Sequence, residues 1–124
     1  MARILLIDDD DALREILAVV LTRAGHAVTQ ANTGKKGVAL FLAEPTELVI
    51  TDLIMPDQEG IETIVQLRRH HPDVAIIAMS GGVSNSGMYL NLASKLGAQR
   101  VLGKPFSMND LLTAVTEVLP KTAG

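Results

Sequence analysis

Five residues carry side chains whose chemistry could be used together. Asp8 and Asp9 follow the apolar run Ile4-Leu5-Leu6-Ile7, and Asp52 follows Leu48-Val49-Ile50-Thr51. Ser80 follows Val74-Ala75-Ile76-Ile77-Ala78-Met79, and Lys104 comes just after the short run Val101-Leu102. An Asp can act as a nucleophile, a hydroxyl can donate to an oxyanion, and an ammonium can pair with phosphate as a point charge. Three carboxylates brought together repel one another unless a cation neutralises them. A hard divalent ion is the expected answer, and Mg2+ takes one or two carboxylates together with waters and phosphate oxygens. These are the parts of a phosphoryl-transfer site, where catalysis is mostly positioning and charge stabilisation.

Such a site requires elements that bring distant residues to one place. The run ending at Asp52 is too short for a helix and rich in β-branched residues, so it reads as a buried strand. Pro56 prevents its continuation, which leaves Asp52 at a strand's C-terminal end. The runs at Ile4–Ile7, Val74–Met79 and Val101–Leu102 read as strands too, and the mixed segment Ala27–Ala31 reads as an edge strand. Between them lie helical patterns. Leu13, Ile16, Leu17, Val20, Leu21 and Ala24 keep the spacing of one helix face, closed by Gly25. Val38, Phe41 and Leu42 mark a second helix between Thr33 and Pro45, and Ile61, Ile64, Val65 and Leu67 mark a third ended by Pro72. Tyr89, Leu92, Ala93 and Leu96 suggest a fourth, closed by Gly97. Ser107 and Asp110 form a variant capping box for the fifth, which carries Leu111, Leu112, Val115 and Leu119 and stops at Pro120.

Alternation of strand and helix at short intervals is the signature of βαβ units on a parallel sheet. The expected fold is α/β, a doubly wound five-stranded parallel sheet of order 2-1-3-4-5 with five helices on its two faces. The mixed second strand and the short fifth suit the edges. A switch point then falls between the first and third strands, so the loops after Ile7 and Thr51 lie side by side. Asp8, Asp9 and Asp52 are expected to converge there.

Composition bounds the alternatives. A chain of 124 residues fits one domain, expected over residues 1–120 with 121–124 as a short tail. With a net charge of −3 and no run of Lys and Arg, nucleic acid is not expected as a partner. The longest apolar stretch falls far short of the ~20 residues that cross a bilayer. The absence of cysteine suits a reducing cytoplasm.

The five residues, with Met55-Pro56 and Gly60 beyond Asp52 and Pro105-Phe106 beyond Lys104, make the chain recognisable. It resembles the receiver domain of two-component response regulators over essentially its whole length. The resemblance implies that Asp52 accepts a phosphoryl group from a histidine kinase or a phosphotransfer protein and that the domain is not an enzyme in its own right. It implies that Asp9 and Asp52 bind Mg2+ directly, with Asp8 helping through water and the backbone carbonyl of Ile54 completing the protein ligands. Ser80 and Lys104 would bind the phosphoryl group, and the Lys104-Pro105 bond would be cis. The surface that switches would be formed by the fourth helix, the fifth strand and the fifth helix, and would bind a downstream protein.

Each residue also has an ordinary reading. One of Asp10 and Asp11 is expected simply to cap the first helix. His70 and His71 end a helix, where the dipole favours them, His26 is expected at the surface, and Met55 and Met79 read as core. The chain also departs from the family. Val101 stands where receivers commonly carry an aromatic ring, the Gly- and Ser-rich stretch after Ser80 is about two residues longer than the chemotaxis type, and Ile54 and Gly82 cannot hold a water by a side-chain hydrogen bond. A mobile loop after Ser80 and slow self-dephosphorylation are expected from these. An interaction module that is never phosphorylated is the competing function. A phosphatase is disfavoured because Ile54 replaces the acid it would want two residues after its nucleophile, and a flavodoxin because the first loop is acidic. Ending just after the fifth helix, the chain is expected to be a lone receiver or a piece of a longer regulator.

Overall fold

In the computed structural model, which describes residues 2–53, 60–81, 91 and 94–119, the apolar runs become the strands β1 (Arg3–Ile7), β2 (Ala27–Ala31), β3 (Leu48–Asp52), β4 (Ala75–Gly81) and β5 (Arg100–Lys104). They pair in parallel in the order β2-β1-β3-β4-β5, as expected. The order follows from polarity. β3 is buried at every residue and takes the centre, whereas β2 is exposed along most of its length and takes an edge.

Successive strand side chains point to opposite faces, so each apolar run feeds two cores. On one face Leu5, Ile7, Val49 and Ile76 pack with Val38 and Phe41 of α2 (Gly34–Ala43) and with Ile64 and Leu67 of α3 (Gly60–His70). On the other, Ile4, Leu6, Ile50, Ile77 and Met79 pack with Leu17 and Leu21 of α1 (Asp11–Arg23) and with Leu111 and Val115 of α4 (Met108–Val118). Local signals set the helix ends. Asp10 caps α1 by accepting the Leu13 N–H at 3.1 Å, and Thr33 caps α2 by accepting that of Lys36 at 3.1 Å. Ser107 and Asp110 form the expected reciprocal box at α4, and Gly25 closes α1 with a φ of 101°.

Several expectations are corrected. β4 and β5 run past their apolar residues, because ladder hydrogen bonding and not burial ends a strand. Ser80 pairs with Gly103 and Gly81 with Lys104, so Ser80 and Lys104 lie within strands and not after them. Ile16, Leu42 and Val65, expected on buried faces, are exposed at 55%, 49% and 36%. Each helix covers only part of the sheet, so its buried stripe is narrower than its apolar pattern. The expected helix over Tyr89–Leu96 lies mostly outside the described residues. So do Ile54, Met55, Pro56, the stretch 82–87, Pro120 and the tail. No helix among the described residues is long and apolar enough to cross a membrane.

His26 is half-buried, and its Nδ1 accepts the Ala2 N–H at 3.1 Å. Burial, the largest cause, lowers its pKa below the ordinary 6.5. The folded state therefore favours the neutral ring, and the unfolded state takes up the proton more readily. Stability is expected to fall slightly as pH drops below about 6.5. Urea unfolding at neutral pH and about pH 5 should show a larger loss for the wild type than for His26→Gln.

Candidate functional site

β1 delivers Asp8. Its N–H donates to the Ala31 carbonyl at 3.1 Å, which draws it into the end of the sheet, and its side chain is fully buried. Asp8 Oδ1 accepts the Asp10 N–H at 3.0 Å, so the turn into α1 is fixed from within. Asp9 points the chain outward and is exposed.

β3 delivers Asp52 as its last residue, only 6% exposed. The chain beyond it is anchored: the Leu53 N–H donates to the Met79 carbonyl at 2.8 Å, and the Gly60 N–H donates to the Leu53 carbonyl at 2.9 Å. α3 thereby starts directly against the Asp52 peptide. Carboxylate oxygens of Asp8, Asp9 and Asp52 all lie within 4.8 Å of one another, so the expected convergence is observed.

β5 brings Lys104 across the top of the sheet. Its Nζ donates to Asp8 Oδ2 at 3.0 Å and to Asp52 Oδ2 at 3.4 Å. Burial alone would lower the Lys104 pKa, but attraction to Asp52 and the hydrogen bond and charge of Asp8 outweigh it, so the value is raised and the ammonium is held. Three carboxylates against one ammonium leave the cluster formally two charges negative, which one divalent cation neutralises. A donor set made wholly of oxygen fits Mg2+. The Lys104-Pro105 bond is cis.

Ser80 lies one residue beyond Met79, the residue paired with Asp52. It is fully buried, and its Oγ has no hydrogen-bond partner among the described residues. An unpaired buried hydroxyl costs about 1–3 kcal/mol, and such a group has a donor to offer an incoming anion. Val101 is half-buried, pairs with Ala78 and packs on the core. Ile54 falls outside the described residues.

Two residues matter here that their types alone do not reveal. A Cβ at Gly60 would meet the Asp52 carbonyl oxygen at 2.2 Å, so only glycine lets α3 begin this close. Arg14 donates to the main-chain carbonyl of Asp8 at 2.8 Å. A basic residue one turn into the helix that follows an acidic loop is the sequence signal that could have drawn attention to it.

Known proteins share this fold. Residues 4–116 match the model of the response regulator receiver domain. The response regulator receiver protein CpdR of Brucella abortus is 33% identical over 120 residues, covering 96% of this chain and 98% of that protein. The DNA-binding transcriptional regulator NtrC of Azospirillum brasilense is 34% identical over 118 residues, and there the chain spans only 24% of the relative's length. A solved CheY-like receiver domain protein from Methanospirillum hungatei superposes with a TM-score of 0.87 at 29% identity, covering 94% of this chain and 92% of that one. With the sheet order, the acidic cluster and the lysine bridge in place, the chain belongs to the response regulator receiver domain family of two-component systems.

Proposed function

We propose that Asp52 is the phosphoacceptor, taking a phosphoryl group from a histidine kinase or a phosphotransfer protein in a Mg2+-dependent reaction. The observation that carries this is the cluster itself: Asp52 at the end of β3, shared with Asp8 through Lys104, with the third carboxylate of Asp9 beside it. Asp8, Asp9 and Asp52, with the backbone carbonyl of Ile54, would hold the ion. Bound Mg2+ offsets the negative charge that gathers on the transferring oxygens.

Asp52 supplies the nucleophile. A carboxylate oxygen forms the new bond to phosphorus as the bond from phosphorus to the donor's imidazole nitrogen breaks, and the freed nitrogen takes up a proton. Lys104 keeps its bond to Asp8 while its ammonium turns toward the phosphoryl oxygens, and the Ser80 hydroxyl gains an acceptor. The domain, from residue 1 to 120 with 121–124 as tail, thus acts as a signalling phosphoacceptor in the cytoplasm. Its charge change is read by a downstream protein at the face made by the segment before Gly97, β5 and α4.

The test is incubation with acetyl phosphate and Mg2+ followed by intact mass. One phosphoryl group should be gained by the wild type and none by Asp52→Asn. A wild type that gains nothing would instead favour an interaction module that works without phosphorylation.

A further inference from the structure

Arg14 stands near the start of α1 beside the acidic loop, yet its side chain is only 11% exposed. Its Nη1 donates to the main-chain carbonyl of Asp8 at 2.8 Å and to the Asp11 carboxylate at 2.7 Å, and its Nε donates to Gln30 Oε1 at 3.0 Å. One planar cation therefore joins the turn after β1, the first turn of α1 and the edge strand β2. The last β1–β3 pair is Ile7 with Thr51, so the Asp8 carbonyl lies beyond that ladder, where the chain leaves the sheet. An N–H bonded to a carbonyl oxygen prefers the plane of that carbonyl, and the contacts of the planar guanidinium to Asp11 and Gln30 hold it there. Fixing that carbonyl fixes the peptide joining Asp8 to Asp9, and with it the direction in which Asp9 departs.

We propose that Arg14 is a positioning residue for the cation site, holding the Asp8–Asp9 peptide so that Asp9 joins Asp8 and Asp52 around a divalent ion. This rests on the reading of that cluster as a Mg2+ site. Arg14 touches no reacting atom and acts through the main chain of Asp8.

Two effects of Arg14 on a cation have opposite signs. As a charge it repels Mg2+, so its removal would tighten binding. As a brace it orders the ligands, so its removal weakens binding. Asp11 already pairs with the guanidinium and offsets its charge, which leaves the charge effect small. Partners that orient metal ligands are typically worth about 10–100-fold in affinity. The brace wins, and the sign of the change separates the two roles.

The experiment is a Mg2+ titration of the whole chain at physiological salt, followed by backbone amide NMR at Asp8–Asp10 and Asp52. Arg14→Met should weaken Mg2+ by roughly tenfold, and Arg14→Lys, which keeps the charge without the fork, should do the same. Gln30→Leu, which removes only the Nε partner, should weaken it by about twofold to threefold. The phosphorylation rate of each variant should return toward wild type at saturating Mg2+. Unchanged or tighter binding in Arg14→Met, or full recovery in Arg14→Lys, overturns the proposal. Should the Arg14 variants not fold, unchanged binding in Gln30→Leu overturns it. If the wild type itself shows no Mg2+ response at these amides, the reading of the site fails and this proposal fails with it.

Discussion

Gly60→Ala is expected to destabilise the fold by about 1–3 kcal/mol and to slow phosphorylation of Asp52 on the order of 10²-fold. The added Cβ would lie 2.2 Å from the Asp52 carbonyl oxygen, 2.4 Å from Leu53 Cα and 2.9 Å from the Asp52 carbonyl carbon. These are backbone atoms and cannot swing aside as a side-chain tip would. Neither partner yields easily. α3 is held by Ile64 and Leu67, both fully buried, and Leu53 is fully buried and bonded to Met79. Relief must come from moving the Asp52 peptide or lifting the start of α3, and either one displaces the carboxylate. Gly25→Ala is the control. Its φ of 101° strains any alanine, but nothing lies within 4 Å of the new Cβ. That variant should lose about 1 kcal/mol and keep its phosphorylation rate. Denaturant unfolding and acetyl phosphate kinetics on the two variants check the pair. A Gly60→Ala protein phosphorylated at the wild-type rate would contradict the argument.

Lys104→Ala is expected to move three quantities in different directions. Without the ammonium, the fully buried Asp8 and nearly buried Asp52 lose the charge that bridges them. Removing one partner of a fully buried ion pair costs about 3–5 kcal/mol. The Lys104 side chain keeps 21% of its exposure, so a metal-free loss nearer to about 1–3 kcal/mol is expected. Mg2+ should bind more tightly, because its positively charged competitor is gone, and should recover most of the lost stability. The phosphorylation rate should nonetheless fall on the order of 10²-fold, since no ammonium remains to meet the phosphoryl oxygens. The raised Lys104 pKa means its contribution is complete below the ordinary value of 10.5 and is lost only as pH climbs through the higher folded value. The difference between variant and wild type should therefore stay flat from about pH 6 to 9. Unfolding with and without Mg2+ reads the stability and the Mg2+ binding, and acetyl phosphate kinetics read the rate. A variant no less stable than wild type without the ion would show that Lys104 is not the counter-charge.

Much of this was legible in the sequence because it rests on side-chain type and period. Runs of two to six apolar residues, too short for helices, read as strands, and the polar Thr29 and Gln30 sent β2 to an edge. The order of strands then followed, and with it the meeting of Asp8, Asp9, Asp52 and Lys104. What was not legible depends on the backbone or on neighbours. The ladder carries β4 through Ser80 to Gly81, although apolar residues stop at Met79. The exposure of Ile16, Leu42 and Val65 is decided by how much sheet each helix covers. Gly60 stands out only as part of a motif, because an absent Cβ gives no side-chain signal. The role of Arg14 is hidden because its acceptor is a main-chain carbonyl six residues earlier. That the Ser80 hydroxyl has no partner among the described residues is likewise invisible until the elements around it are in place.

Locating the phosphoryl group shows directly whether Asp52 is the phosphoacceptor. The protein is treated with acetyl phosphate and Mg2+, the acyl phosphate is reduced with borohydride, and the peptides are mapped by mass. Homoserine is expected at position 52 and at no other acid, with the product absent when Mg2+ is chelated. Reduction at Asp8 or Asp9, or a modified residue 52 formed equally well without Mg2+, would contradict it.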